Sequence, residues 1–343
     1  MTTRVGIIGT GWVATERHIP AYRKLPDVVV DSVFDRNADR ARSIARRFGI
    51  PRHYSDLAAL DESPVQAVSI CTPPRAHSEA IERALEAGKH VLVEKPMTLS
   101  AADGARLGAL ATSSGRLLCP AHNFLFARST LAAIRAIDSG EAGEVRYAIG
   151  YQTSSVRRRL PAWYGELPGG LFFDEAPHLL YLCQRFLGPL SVDAAWSTGG
   201  APTAGAQATG PRVERIEARL SGQRGPAYLT AWFGAPSSEW WLALQCDRAS
   251  LLIDLFRDVC VMVPPERAHG RRDVISGAAR ATFRFWRGAL STAARVTAGD
   301  QSFGANDLIR GFVDAVEGGE PPTKAEDGVR VVALIEDILA KAR

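Results

Sequence analysis

Two textures of hydrophobic patterning divide the chain. Up to about residue 122, short unbroken apolar runs alternate with longer stretches whose apolar residues fall three or four apart. The runs Val5–Ile8, Val28–Phe34, Val65–Cys71, His90–Val93 and Arg116–Ala121 suit strands buried on both faces, as in a parallel sheet. The stretches between them suit helices near 12–25, 38–48, 77–87 and 100–114, with Asn37 as a cap, and Tyr54–Leu60 reads as one more short helix. Strand and helix alternating in this way predict an α/β, doubly wound parallel sheet. A helix over 127–139 follows, and after Gly143 the texture changes. Val145–Thr153 alternates in the manner of a half-buried strand, and Ser191–Trp196, Arg212–Leu220, Ala227–Phe233, Trp240–Cys246 and Ser250–Val263 join it, the last with a turn at Arg257-Asp258. Helices are expected near 173–187, 274–296, 306–317 and 325–340. The partition is therefore a first domain over 1–122 and a second over 123–343, an α+β domain with an open, mostly antiparallel sheet.

Candidate chemistry sits where the first texture puts strand ends, since open parallel sheets bind ligands beyond the carboxyl ends of their strands. Val5–Ile8 leads into Gly9-Thr-Gly11-Trp12-Val13-Ala14, a G-x-G-x-x-A. Gly9 makes the tight turn, Gly11 admits a pyrophosphate to the backbone, and Ala14 lets helix and strand approach. The next strand ends at Asp35, about 20 residues on, where a carboxylate binds the adenosine ribose. This combination predicts a Rossmann dinucleotide site. Asp35 favours NAD, while Arg36 beside it is able to pair with the 2′-phosphate of NADP. Thr72 and Pro73 end a third strand, and His77 follows within reach of a cofactor ribose. The fourth ends in Glu94-Lys95-Pro96, with Pro96 stiffening the backbone that aims Lys95. The plain alternative for Glu94-Lys95 is a solvated surface pair.

A second constellation lies beyond the domain boundary. Arg157-Arg158-Arg159 and Trp163-Tyr164 precede Gly169-Gly170, and Asp174 and His178 then share one helix face, four apart. A histidine titrates near neutrality and accepts a proton from an alcohol, and a neighbouring carboxylate orients it. An ordinary i,i+4 surface pair is the alternative, against which the glycine pair weighs.

Composition narrows the partners. Of 343 residues, 46% are hydrophobic and 23% charged, with a formal net charge of +4, a mild balance that does not call for nucleic acid. The five cysteines are odd in number, widely spaced and without C-x-x-C, so neither a disulfide framework nor a zinc site is expected. Reduced thiols suit a cytoplasmic chain. No charged-then-apolar leader and no apolar run of about 18 residues suggests a signal peptide or a membrane span. The small-residue run Gly199–Gly210 reads as a loop.

Taken together, the motifs resemble the Gfo/Idh/MocA family (glucose–fructose oxidoreductase, inositol dehydrogenase and MocA). The resemblance covers nearly the whole length and rests on Gly9-x-Gly11-x-x-Ala14, Cys71-Thr-Pro-Pro74 with His77, Glu94-Lys95-Pro96, Gly169-Gly170 with Asp174 and His178, and a tail Phe312–Gly328 containing Glu-Gly-Gly-Glu-Pro-Pro-Thr. It implies an NAD(P)-binding first domain and a second domain that binds substrate and forms the oligomer contact. It also implies an active site between them with Lys95, Asp174 and His178 as the catalytic set, often with a cis Lys95–Pro96 peptide. The expected cofactor contacts are Gly9, Gly11, Trp12, Val13, Asp35, Arg36, Thr72, Pro73, His77, Glu94, Lys95 and Asn123. Lys95, Arg157, Arg159, Trp163, Tyr164, Asp174 and His178 are the expected substrate contacts, and no metal is needed. Three departures stand out. Tyr181 occupies a position where the family often has aspartate. Glu175-Ala176-Pro177 replaces small or apolar residues, and Pro177 suggests a later helix start. Asn123-Phe124-Leu125-Phe126 lacks a common arginine, which weighs against a plain polyol substrate.

The expected reaction is hydride exchange between NAD, or NADP, and a secondary alcohol or ketone of a sugar, sugar acid or nucleotide sugar. The arginines and aromatics ahead of the helix suit a carboxylate or phosphate with a ring to stack. A dimer or tetramer is expected. Two rivals share the fold: a catalytically silent, cofactor-sensing regulator, and NAD-dependent glycoside cleavage through transient oxidation. One stretch stays outside this scheme. Arg267–Arg295 carries seven arginines among Phe283, Phe285, Trp286 and Leu290 and reads as a basic amphipathic helix. A subunit contact ranks first for it, ahead of a flap over the substrate or a membrane-surface helix.

Overall fold

A computed structural model describes residues 2–155, 157, 160, 162–199, 213–265, 270–298 and 302–342. It divides into two compact units, Met1–Asn123 with Ala305–Ala333, and Phe124–Gly304 with Leu334–Arg343.

In the first unit, strands β1 (Thr3–Ile8), β2 (Val28–Phe34), β3 (Arg52–Tyr54), β4 (Ala67–Ile70), β5 (His90–Val93) and β6 (Leu118–Pro120) form a six-stranded sheet in the order β3-β2-β1-β4-β5-β6. Every pairing is parallel. The unbroken apolar runs account for this: Val5, Ile7, Val33, Val68, Ile70, Val91, Leu92 and Val93 are fully buried, as strands covered on both faces must be. One buried charge crosses three strands. Asp31 on β2 accepts hydrogen bonds from Arg4 on β1 at 2.7 Å and Arg52 on β3 at 2.5 Å. The covering helices begin with α1 (Ile19–Arg23), α2 (Ala38–Phe48), α3 (His77–Glu86) and α4 (Ala101–Ser113). Asn37 caps α2 by accepting from the Arg40 amide at 3.0 Å, and Gly49 ends it at a φ of 64°.

Two local expectations differ. The helix expected over 12–25 is a π-helical turn, Ala14–His18, running into α1, which has Pro20 in its first turn. Pro20 has no N–H to continue a regular ladder, so the wider turn falls just ahead of it. The stretch expected as a helix at Tyr54–Leu60 instead begins at the end of edge strand β3 and closes in a 3₁₀ turn, Leu57–Leu60, capped by Asp56.

The second unit carries α5 (Arg128–Asp138), β7 (Val145–Ser155), α6 (Leu171–Leu187), β8 (Leu190–Gly199), β9 (Val213–Gly222), β10 (Gly225–Ala235), β11 (Glu239–Cys246), β12 (Ser250–Asp254), β13 (Val259–Val263) and α7 (Arg271–Thr297). Its seven strands run in the order β13-β12-β11-β7-β10-β9-β8. All pairs are antiparallel except β10 with β7. Helix α6 packs on β7 and β10.

The last two helices, α8 (Ala305–Val316) and α9 (Ala325–Lys341), shift the partition read from the sequence, which assigned all of 123–343 to the second domain. Helix α8 packs against the π turn and α1. Thr3 Oγ1 donates to Glu317 Oε1 at 2.7 Å and Thr323 Oγ1 to the Pro120 carbonyl at 2.8 Å. Gly328 lies so close to Met97 that a Cβ there would stand 2.8 Å from its sulfur. Contacts made by side chains distant in sequence thus bring the tail back to the first unit. No helix among the described residues is long and apolar enough to cross a membrane.

Candidate active site

Where the first unit's strands end, the backbone is shaped by glycine. Gly9 has a φ of +87°, and a Cβ on it would stand 2.8 Å from the Thr72 amide nitrogen. Gly11 has open space where its side chain would be, which is what a pyrophosphate oxygen needs to reach backbone N–H groups at the start of a helix. Trp12 is exposed and Val13 half-buried beside it. This loop fits a dinucleotide.

Asp35, the expected ribose contact, is buried and already engaged. It accepts from the Thr10 amide (3.0 Å) and hydroxyl (2.7 Å), the Asn37 amide (3.0 Å), and Arg40 Nε (3.0 Å) and Nη2 (2.8 Å). Burial pushes its pKa up, but these donors, Arg40 foremost, outweigh it and hold the carboxyl at about 2. A ribose diol therefore competes with a bidentate guanidinium for this carboxylate. Arg36 is exposed next to it.

The ends of β4 and β5 are tied together by His77. Its Nδ1 lies 2.8 Å from the Pro96 carbonyl and its Nε2 2.9 Å from the Thr72 carbonyl, and the residue has no exposure. Both ring nitrogens face backbone carbonyls, and the neutral ring, with its single N–H, donates to one of them, so the side chain sits as a staple between the two loops. Burial lowers its pKa, against the pull of the two carbonyls. Thr72 Oγ1 is buried and has no hydrogen-bond partner among the described residues, while Pro73 is half-buried at the head of a 3₁₀ turn.

Glu94 is held by a group that sequence reading passed over. The π turn brings His18 Nε2 within 3.0 Å of Glu94 Oε1, and His18 Nδ1 faces Ser69 Oγ at 3.2 Å, which in turn meets the Tyr22 hydroxyl at 2.7 Å. Burial works to raise the Glu94 pKa, but the hydrogen bond and charge of His18, then Lys95 and Arg17, bring it to about 2. Lys95 follows, half-buried, its amide donating to Glu94 Oε2 at 3.2 Å and its peptide to Pro96 cis, as the resemblance implies. Asn123 is buried at the start of a 3₁₀ turn, Asn123–Phe126.

In the second unit, Gly169 (φ +70°) and Gly170 (φ +63°) turn the chain into α6, and a Cβ on Gly169 would meet Leu339 at 2.7 Å. The helix starts at Leu171, with Pro177 inside it. This corrects the suggestion that Pro177 opens the helix. Glu175 supplies an anchor: buried, it accepts from Gln152 Nε2 at 2.8 Å and from the Ser154 hydroxyl, both on β7. Asp174 is half-buried on the same turn.

His178 is buried in an aromatic box. Its ring meets Phe124 edge-on (centroids 4.9 Å, 85°) and Trp240 at 5.0 Å. Nδ1 lies 2.7 Å from the Tyr181 hydroxyl, which also accepts from the Phe124 amide at 3.2 Å. Tyr181, noted in the sequence as a departure, thus takes the position of a group orienting the histidine. Neither Trp240 nor Phe124 carries a local motif that points to the ring. Of the residues ahead of α6, Arg157 is exposed, and Trp163 and Tyr164 are half-buried in a 3₁₀ turn, Ala162–Glu166. Arg158 and Arg159, like most of the small-residue run after Gly199, lie outside the described residues. No metal-binding cluster of histidine, cysteine or acidic residues exists among the described residues.

A parallel six-stranded sheet with a glycine cradle after β1 defines the class, and residues 3–122 match the model of an oxidoreductase family with an NAD-binding Rossmann fold. Over those residues the chain is similar to that family, Gfo/Idh/MocA. Among curated relatives, it is 37% identical over 188 residues to dTDP-3,4-didehydro-2,6-dideoxy-alpha-D-glucose 3-reductase of Streptomyces violaceoruber, covering 54% of each chain. It is 28% identical over 186 residues to myo-inositol 2-dehydrogenase of Thermotoga maritima, covering 54% of this chain and 55% of that one. The chain thus spans about half the length of these two relatives. Similar solved structures include GenD2 from gentamicin A biosynthesis in complex with NAD (TM-score 0.78, 20% identity, 99% of this chain and 94% of that one). KijD10, a 3-ketoreductase from Actinomadura kijaniata in complex with NADP and TDP-benzene, is also similar (TM-score 0.77, 24% identity, 100% and 98%).

Proposed function

We propose that the protein is an NAD(P)-dependent oxidoreductase acting on a secondary alcohol or ketone of a sugar, sugar acid or nucleotide sugar. The observation that carries the reading is His178, buried among aromatic rings with Nδ1 held by Tyr181, in a chain whose first unit presents a glycine cradle and a strand-end lysine. The cofactor, when bound, supplies or accepts the hydride. Amides at the start of the π turn bind its pyrophosphate, with Gly11 giving access, and Asp35 and Arg36 lie where the adenosine ribose is read. Lys95 donates a hydrogen bond to the substrate oxygen and stabilises negative charge developing there. His178 Nε2 takes the hydroxyl proton in oxidation and returns it in reduction. Asp174, one turn ahead, orients His178. Arg157, Trp163 and Tyr164 suit an anionic substrate with a ring, and the nearest chemistry to try is a dTDP-linked ketosugar.

The oligomer expected from the resemblance has support in the second sheet. Tyr147, Ile149 and Tyr151 alternate along β7, Tyr228 pairs with Ile149, and Trp241 pairs with Tyr151. The register puts all five on one face, and all five are exposed, a patch that self-association covers.

The test is absorbance-monitored turnover of NADH and NADPH with nucleotide ketosugars, and of NAD and NADP with sugars and sugar acids. Lys95→Ala is expected to lose a factor of about 100 or more in turnover while still binding nucleotide. Turnover unchanged in that variant contradicts the role of Lys95. Glycoside cleavage without net NADH production favours the transient-oxidation route, and nucleotide binding without any turnover favours a regulator.

A further inference from the structure

Helix α7 is inside out for a surface helix. Its packed side is marked by Gly288, where a Cβ would stand 2.8 Å from Val259 of β13, and by Arg295, which donates to Asp258 at 2.8 Å. Arg284 lies 3.7 Å from Glu141. At 100° per residue the opposite side carries Ile275, Phe283, Trp286 and Leu290, which are 68%, 67%, 59% and 65% exposed. A helix that has buried one face normally turns charge outward. Here charge flanks the outward apolar row: Arg280 and Arg287, both exposed, project beside it. Between Arg271 and Thr297 the sequence holds six arginines against one acid, Asp273.

An outward row of aromatic and leucine side chains edged by arginine is the arrangement of a helix lying in the boundary between lipid headgroups and acyl chains. A second copy of this chain is a poor cover for it. A two-fold contact through α7 sets the arginines of one copy against those of the other, at a repulsive cost. An anionic surface removes that conflict. The sheet face proposed for self-association is carried by β7, β10 and β11, not by α7.

We infer that α7 docks the protein on an anionic lipid bilayer, with Phe283, Trp286 and Leu290 entering the acyl boundary and Arg280 and Arg287 meeting phosphates. The inference stands apart from the catalytic reading and does not need it.

The experiment is co-sedimentation of the full chain with phosphatidylcholine vesicles, with and without phosphatidylglycerol, at low and high salt. Binding is expected to the anionic vesicles, to weaken as salt screens the arginines, and to be weak on phosphatidylcholine alone. Trp286→Glu and Phe283→Glu are each expected to cut the bound fraction at least about tenfold, and Arg280→Gln with Arg287→Gln to remove the salt dependence. Circular dichroism and sedimentation velocity check that the variants keep fold and size. No association with anionic vesicles overturns the inference. So does association that the α7 variants leave unchanged, or a change of oligomeric state in the Glu variants without any lipid binding by the wild type.

Discussion

Asp35 and His178 show how differently a residue can be prepared by its surroundings. Asp35 is held low by five donors, and the consequence is a stability that depends on acid. Its carboxyl sits near 3.8 in an unfolded chain and at about 2 in the folded one. Its contribution, about 2 kcal/mol, is therefore fully present above pH 3.8 and is lost as pH falls through 2. Denaturant unfolding of the wild type and Asp35→Asn across that range checks this: the variant is expected to be less stable at neutral pH and to lose less on acidification. Parallel pH curves contradict it. His178 is prepared by orientation instead. Removing the hydroxyl in Tyr181→Phe deletes one hydrogen bond to the ring, which is expected to lower kcat up to about tenfold while leaving KM nearly unchanged. A rise in KM with kcat preserved points instead to a substrate contact.

These residues were unequally legible. Gly9 and Gly11 announce themselves because a tight turn and an open backbone restrict the residue type at a fixed spacing. His77 and His18 do not. The first lies in a motif, but that its ring sits between the Pro96 and Thr72 carbonyls has no sequence signal. The second has no motif and reaches Glu94 only through a π turn. Tyr181 registered as an exception to a pattern, and its partner Phe124 comes from a segment far away in the chain.

At the scale of elements, hydrophobic period predicted most strands because burial imposes it directly. Edge strand β3 escaped since its three residues, Arg52, His53 and Tyr54, are largely exposed and carry no apolar run. The hydrophobic pattern places the start of α6 two residues late and Pro177 argues for a later one still, because the pairing of Glu175 with β7 that pins the first turn has no local signal. The hairpin between β9 and β10 gives a sharp check on packing. Gly225 has a φ of +145°, and a Cβ there would lie 1.9 Å from the Arg146 carbonyl oxygen on β7. No flexible side chain is available to move aside. Gly225→Ala is expected to destabilise the second sheet by more than about 2 kcal/mol, seen as a fall in the temperature of thermal unfolding. An unchanged transition contradicts this register.

For the whole molecule, the two textures of the sequence correspond to two sheets, but the tail does not follow the order of the chain. Ala305–Ala333 belongs to the first unit, through Thr3–Glu317, Thr323–Pro120 and Gly328 against Met97. Such pairings between distant segments have no period to read. The central claim is that the first unit binds a nicotinamide dinucleotide at the Gly9–Ala14 loop for use in redox chemistry. It is tested most directly by calorimetric titration of the full chain, and of Gly11→Asp, with NAD, NADH, NADP and NADPH. The account predicts micromolar binding of at least one nucleotide to the wild type and its loss in Gly11→Asp, where a carboxylate would fill the space that a pyrophosphate needs. No heat with any of the four, or equal binding by the variant, would contradict it.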